Sequence, residues 1–385
     1  MHGSSAEPRR VVVIGTGLIG TSIALALREH DVDVLLADRD AASVRLAVEL
    51  GAGTALAAGA AGPGEPADPA DPADPAEPAD LAVLAVPPAA VAATLRDAQK
   101  RGLARVYTDV ASVKAAPLAA AAELGCDLEG FVAGHPLAGR ERSGPAAARA
   151  DLFLGRPWVL CPTPATGAAA TAAATALARA CGAEPLTMNP AEHDRAVALV
   201  SHAPHVVSAA MAARLSDGSD LALGLSGQGV RDVTRIAAGD PELWIGILAA
   251  NAVSVADVLE GVAGDLALAA SALRAGAEAG QAGADAAAEL VADLLRRGNA
   301  GRVKIPGKHG GRQSRYAIVS VLIPDRPGEL ALLFQAAGVA GVNIEDVVIE
   351  HSPGRPVGVV ELSVRPEAAE RLAGELRSRG WSVPG

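Results

Sequence analysis

Val11-Val12-Val13-Ile14-Gly15-Thr16-Gly17-Leu18-Ile19-Gly20, followed by an acid at Asp38, decides how this chain folds. The β-branched run favours a buried strand, and the glycine pattern leads into a helical run from Thr21 to Glu29. A second apolar strand, Val32 to Ala37, ends on Asp38. This order suits the diphosphate of a dinucleotide. Gly15 permits a tight turn, Gly17 lets the backbone approach the pyrophosphate, and Gly20 lets helix and strand pack closely. The free N–H groups of the helix N-terminus attract phosphate. Asp38 is placed to accept hydrogen bonds from a ribose 2′-hydroxyl and to repel a 2′-phosphate, which favours NAD over NADP; the neighbouring Arg39 pulls the other way. The expected cofactor contacts are Gly15, Gly17, Leu18, Ile19, Gly20, Asp38 and Val86.

The 385 residues suffice for two or three domains, and half of them are hydrophobic, so a large core can be buried. A net charge of −11 argues against a general nucleic-acid binder. The three cysteines, Cys126, Cys161 and Cys181, are widely spaced and read as reduced thiols of a cytoplasmic protein. Met1 to Arg10 is polar, without a signal-like apolar region. No uninterrupted apolar run of about 18 residues occurs, so no membrane span is expected.

Residues 10–162 alternate strand and helix, with strand candidates at Val11–Ile14, Val32–Ala37, Leu81–Val86, Val106–Asp109, Phe131–Ala133 and Trp158–Cys161. That is the pattern of a doubly wound, mostly parallel α/β sheet. The Pro-Ala-Asp repeat between Gly62 and Asp80 interrupts it and predicts an extended surface loop, since proline blocks helix and like charges resist collapse. Residues 163–297 are rich in Ala, Leu and Val and predict helices over 167–181, 190–215, 241–262 and 264–296, the second kinked or interrupted at Ala203-Pro204. So much apolar helical surface predicts a homodimer. Residues 298–314 read as a linker, and 315–385 as a small βαββαβ unit.

Several clusters could carry chemistry. His135, in Gly134-His135-Pro136, follows a strand and belongs at the carboxyl edge of the sheet, where ligands bind. Asp109-Val-Ala-Ser112-Val-Lys114 also follows a strand. Glu192-His193-Asp194 and Ser201-His202-Ala203-Pro204-His205 lie on the helical part, and Arg231 and Arg235 supply cations for acidic substrate groups. Simpler roles compete with these. His193-Asp194 reads equally as part of a helix start, with Asn189 or Asp194 as its cap. His202 reads as structural, Ser112 as a helix cap, and Arg231 with Asp232 as a structural pair. A metal site built from His193, His202 and His205 lacks the His-Glu-x-x-His spacing and any cysteine partner, so no metal is expected.

In these motifs the chain resembles the prephenate and arogenate dehydrogenases. The motifs are Gly-Thr-Gly-Leu-Ile-Gly, Asp109-x-x-Ser112-Val-Lys114, Gly134-His135-Pro-x-Ala-Gly139-x-Glu141-x-Ser-Gly144, His193-Asp194, Ser201-His202-x-Pro204-His205 and Arg231-Asp232-x-Thr-Arg235-Ile-Ala. Val230 departs from the Phe that many relatives carry there. The resemblance implies a Rossmann-type nucleotide domain, an all-helical dimerisation domain, and NAD-dependent oxidative decarboxylation of prephenate, or of arogenate. It implies that His135 is the base for the substrate hydroxyl and that Ser112 holds that hydroxyl or orients the imidazole. By the same resemblance Arg235 binds a carboxylate, His205 and Ser201 contact other polar groups, and Glu141 gates the site or influences side-chain choice. The 3-hydroxyacid and imine dehydrogenases are a weaker likeness, because they place a lysine on the helical domain and none occurs here between Lys114 and Lys304. A catalytically silent NAD-binding amino-acid sensor is the alternative of a different class.

The C-terminal unit resembles an ACT domain through Asp325-Arg-Pro-Gly328-Glu-Leu330 and Gly341-Val-Asn343-Ile344-Glu345-Asp346. The resemblance implies that Asp325, Gly328 and Asn343 mark a site for an aromatic amino-acid effector; the plainer role of the unit is oligomerisation.

Overall fold

The computed structural model describes residues 8–56, 77–139, 143–278, 280–306, 316–351 and 357–384. The Pro-Ala-Asp repeat up to Ala76, Glu141 with its flanking arginines, and the Gly-Lys-Arg stretch 307–315 lie outside the described residues.

The chain begins β1 (Arg10–Ile14), α1 (Leu18–Arg28), β2 (Asp33–Ala37), α2 (Ala41–Glu49), β3 (Thr54–Ala55), β4 (Ala79–Leu84), α3 (Pro88–Lys100), β5 (Ala104–Asp109), α4 (Ala115–Glu123), β6 (Phe131–Pro136), β7 (Pro157–Cys161), α5 (Ala168–Ala180) and β8 (Glu184–Thr187). These strands form one eight-stranded sheet in the order β3-β2-β1-β4-β5-β6-β7-β8. Pairing is parallel from β3 across to β6, and β7 runs antiparallel to β6. The carboxyl ends of β1, β4, β5 and β6 therefore share one edge. Val11 and Val13 point to one layer of core, with Ile23 and Leu27 of α1; Val12 points to the other, with Val91 and Leu95 of α3. This is the two-faced burial that makes parallel strands near-continuously apolar.

The boundary expected at residue 162 falls inside this sheet. α5 packs its alanine face, Ala170, Ala174 and Ala178, onto the first core layer, and β8 pairs with β7. β8 was not predicted because Glu184-Pro185-Leu186-Thr187 is short and exposed, with little of the apolar pattern that marks a strand.

The helical part follows: α6 (Pro190–Val197), a π-helical turn at Ala198–His202, α7 (Ala203–Leu215), α8 (Asp220–Leu223), α9 (Gln228–Thr234), α10 (Pro241–Ala250), α11 (Ala252–Glu278) and α12 (Gly280–Val303). Pro204 does not break the run. The missing N–H and ring bulk of a proline are tolerated in the first turn of a helix, and here the widened turn ends just before it. Pro190–Leu215 is long and apolar enough to cross a bilayer by composition alone. Its buried residues include His193, Asp194, His202 and His205, which face the site described below, while Leu199, Val200 and Met211 are exposed. The expected helix over 241–262 is divided at Asn251. Met211, Leu221, Leu225, Leu243 and Ile245 remain exposed on this part.

In the second compact unit, α12 continues to Val303, past the expected start of the linker at 298. Beyond residue 315 come β9 (Ala317–Pro324), α13 (Glu329–Val339), β10 (Asp346–His351), β11 (Val357–Val364) and α14 (Pro366–Ser378). The strands form an antiparallel sheet in the order β10-β11-β9. Strict alternation along β11 buries Gly358, Val360, Leu362 and Val364 beneath Leu333 of α13 and Leu372 and Leu376 of α14. The expected last strand is reduced to a single bridge, Leu322 to Ser382.

Candidate active site

Gly15, between β1 and α1, has φ +105°, and a Cβ there would stand 2.2 Å from the Ala85 carbonyl oxygen. A Cβ on Gly20 would stand 1.9 Å from the Gly15 carbonyl oxygen. Both positions exclude any side chain. A Cβ on Gly17, the residue preceding α1, would meet nothing within 4 Å. Gly17 thus leaves an open cradle over the N–H groups of Leu18 and Ile19. Asp38 closes the loop: it accepts from the Thr16 amide at 2.6 Å and the Thr16 hydroxyl at 3.1 Å, and from the Asp40 amide at 2.9 Å. Val86 lies half-buried just past β4, on the same sheet edge. Glycine turn, exposed amides and carboxylate together fit a dinucleotide.

His135 stands near the end of β6, on that edge. Its backbone is held by Lys114, which is fully buried just before α4. The Lys114 ammonium pairs with Asp109 and donates to the Gly134 carbonyl at 2.6 Å. Asp109 in turn accepts from the Gly134 amide at 3.0 Å and the Ala111 amide at 3.0 Å. A charge pair so deep needs such further hydrogen bonds to offset its desolvation. Gly134 must be glycine, since a Cβ would lie 2.8 Å from the Asp109 carbonyl oxygen.

The helical part meets this edge through α6. His135 Nδ1 lies 2.8 Å from His193 Nε2, and His193 Nδ1 lies 2.8 Å from Asp194 Oδ1. Asp194 also accepts from the Lys114 and Ala115 amides, each at 2.8 Å, and so caps the N-terminus of α4 from another domain. Asn189 caps α6 through the Ala191 amide, as expected of one of the two cap candidates. Burial, then the charge of Lys114, push the His135 imidazole well below its ordinary pKa, so it stays neutral. His202 is pushed down to about 4, chiefly by burial, and contacts the Asn251 amide nitrogen at 3.2 Å; that nitrogen donates to the Asp194 carbonyl at 2.7 Å. The structural reading of His202 fits these contacts. Cys161 is pushed up to about 12 by burial and remains a neutral thiol.

His205 lies one helical turn beyond and stacks on Trp244, with ring centroids 3.7 Å apart and planes 10° from parallel. Gly239 runs beneath: a Cβ there would meet Trp244 Nε1 at 2.4 Å and His205 Cε1 at 2.8 Å. Ser112 is half-buried between β5 and α4, Ser201 is exposed in the π-helical turn, and Arg235 is exposed at the start of a 3-10 turn after α9. Asp232 accepts from Gln228 at 2.7 Å. His135, His193 and Asp194 are joined by contact, while Ser112 reaches the same edge through its own loop. Sequence reasoning left Lys114, Trp244, Gly239 and Asn251 without roles. The usable signal was an unexplained lysine inside an apolar stretch, Val113-Lys114-Ala115.

Residues 23–186 match the family described as "Prephenate dehydrogenase, nucleotide-binding domain", and 189–282 match "Prephenate dehydrogenase, dimerization domain". The chain is 41% identical to the "Probable prephenate dehydrogenase NovF" of Streptomyces niveus over 97% of this chain and 99% of that one. It is similar in structure to prephenate dehydrogenase from A. aeolicus in complex with hydroxyphenyl propionate and NAD+, with TM-score 0.62, 25% identity, and coverage of 78% and 100% of the respective chains. It is also similar to Synechocystis arogenate dehydrogenase, with TM-score 0.59, 28% identity, and coverage of 76% and 98%.

Proposed function

Because this chain belongs to the prephenate dehydrogenase family, we propose that it oxidatively decarboxylates prephenate to 4-hydroxyphenylpyruvate with NAD. The observation that carries this reading is the shared sheet edge. The glycine cradle after β1 and His135 at the end of β6 lie at the carboxyl ends of strands in one parallel array, so cofactor and base face one space.

Bound NAD⁺ supplies the hydride acceptor. His135 would take the proton of the substrate hydroxyl as hydride leaves the carbon that bears it, and would return a proton to the phenolate oxygen once loss of CO₂ has left an aromatic ring. Aromatisation drives the reaction, so positioning and deprotonation are the protein's main tasks. A neutral imidazole suits this. Ser112 holds the hydroxyl, Arg235 binds a carboxylate, and His205, flattened against Trp244, contacts a further polar group together with Ser201. Glu141, outside the described residues, keeps the role that the family resemblance implies, gating or side-chain choice. Asp38 receives the adenosine ribose. Asp38→Ser is expected to raise KM for NAD about tenfold and to narrow the preference over NADP, which steady-state kinetics with both cofactors will show.

The direct test is NADH formation from prephenate and, separately, from arogenate. Turnover of prephenate supports the assignment; turnover of arogenate alone keeps the mechanism and changes the substrate; no turnover with NAD bound favours a sensor. The exposed apolar helix faces and the dimerisation-domain match support a homodimer, and a chain with three free thiols suits the cytoplasm.

We assign the C-terminal unit to feedback regulation by an aromatic amino acid. Gly328, in the left-handed region at φ +91°, forms the turn into α13 beside exposed Asp325. Asn343 donates to the buried Glu345 at 2.8 Å, fixing the approach to β10. A chain ending at Pro306 is expected to keep turnover and lose inhibition by tyrosine; unchanged inhibition would leave the unit an oligomerisation module.

A further inference from the structure

We propose that His193 and Asp194 are positioning residues that fix the tautomer of His135, presenting its Nε2 to the substrate as the unprotonated nitrogen. The proposal rests on the reading of His135 as the base.

The chain of contacts is directional. Asp194 is held ionised: burial opposes its charge, but donation from His193 and from the Ala115 and Lys114 amides outweighs that and lowers its pKa. An ionised carboxylate only accepts, so His193 Nδ1 must carry the proton in their 2.8 Å bond. A His193 ring whose single proton sits on Nδ1 offers Nε2 as a lone pair, and His135 Nδ1 then donates to it across 2.8 Å. The one nitrogen left, His135 Nε2, has no proton. An isolated neutral imidazole favours no such arrangement; a ring nitrogen takes its role from what the other one bonds.

The same chain answers the charge that forms in the reaction. When Nε2 takes the hydroxyl proton, His135 becomes an imidazolium in a half-buried place. Lys114 gives it no relief, being a cation itself, although Asp109 neutralises it locally. His202 and the Cys161 thiol are neutral. His193 links the new charge to Asp194, the carboxylate at the end of the chain. The rings meet edge to face, 5.0 Å between centroids and 75° between planes, which suits an in-line N–H to N bond. Asp194 thus serves two ends: it caps α4 and it sets the base.

The test uses the full chain with 15N-labelled histidine. In the wild type, imidazole shifts at neutral pH should show His135 protonated at Nδ1; protonation at Nε2 overturns the proposal. This readout needs no substrate, so it stands even if prephenate is not turned over. His193→Phe keeps volume and removes the acceptor. It should lower kcat about 10- to 100-fold, part of the worth of general-base catalysis, leave KM for both substrates largely unchanged, and move the acid limb of the pH profile lower. His193→Gln, whose amide oxygen accepts, should recover part of kcat. A His193→Phe enzyme with unchanged kcat and acid limb overturns the proposal, whereas a variant that fails to fold leaves the wild-type spectrum as the deciding measurement.

Discussion

His135→Asn is expected to lower kcat with prephenate by about 10²- to 10⁴-fold, the usual worth of a positioned base, while NAD affinity stays near the wild-type value. The two effects separate because the glycine cradle lies after β1, three strands away in the sheet from the end of β6. Stopped-flow turnover and fluorescence titration of NAD read them independently. Near-normal turnover would remove His135 from the mechanism. The wild-type pH profile carries a related expectation. Burial first, then Lys114, hold the imidazole well below 6.5. The base form is therefore already complete at neutral pH, and activity should fall only on acidification well below pH 6.5. An acid limb at or above 6.5 would contradict the neutral ring.

Lys114→Met should cost about 3–5 kcal/mol of stability, the scale for removing one partner of a buried ion pair. Lys114 is fully buried, and Asp109 would be left as an unpaired carboxylate inside the sheet. The Gly134 carbonyl would lose its donor as well, so His135 would shift and turnover would fall with stability. Denaturant unfolding measures the first effect. Adding Asp109→Asn removes the stranded charge and should restore part of the stability without restoring turnover. A single variant as stable as the wild type would show that the pair does not brace the site.

The glycine loop was legible because each glycine has a steric reason visible in the pattern. Gly15 and Gly20 cannot carry a Cβ, and Gly17 leaves an opening. His135 was legible by its place after an apolar strand. His193-Asp194 was not, since polar residues near a helix start are explained equally well by capping. Their assignment needs a contact between residues 58 apart in the chain, which no local pattern encodes. Lys114 was likewise hidden: a lysine after a strand reads as solvent-facing until Asp109 and Gly134 are seen to enclose it. The domain border was misplaced for the reverse reason. The alanine-rich α5 looks like the helices after it, and only its packing on the sheet separates them.

The cap that Asp194 places on α4 has a consequence for synthesis on the ribosome. α4 is complete in sequence by residue 123, yet the carboxylate holding its first amides, Asp194, is translated about 70 residues after that. β8, the last strand of the sheet, emerges only just before it. The nucleotide-binding half therefore cannot finish folding as soon as its glycine loop and first strands are exposed. The cap on α4 and the contact that His193 makes with His135 become available only once α6 has left the exit tunnel.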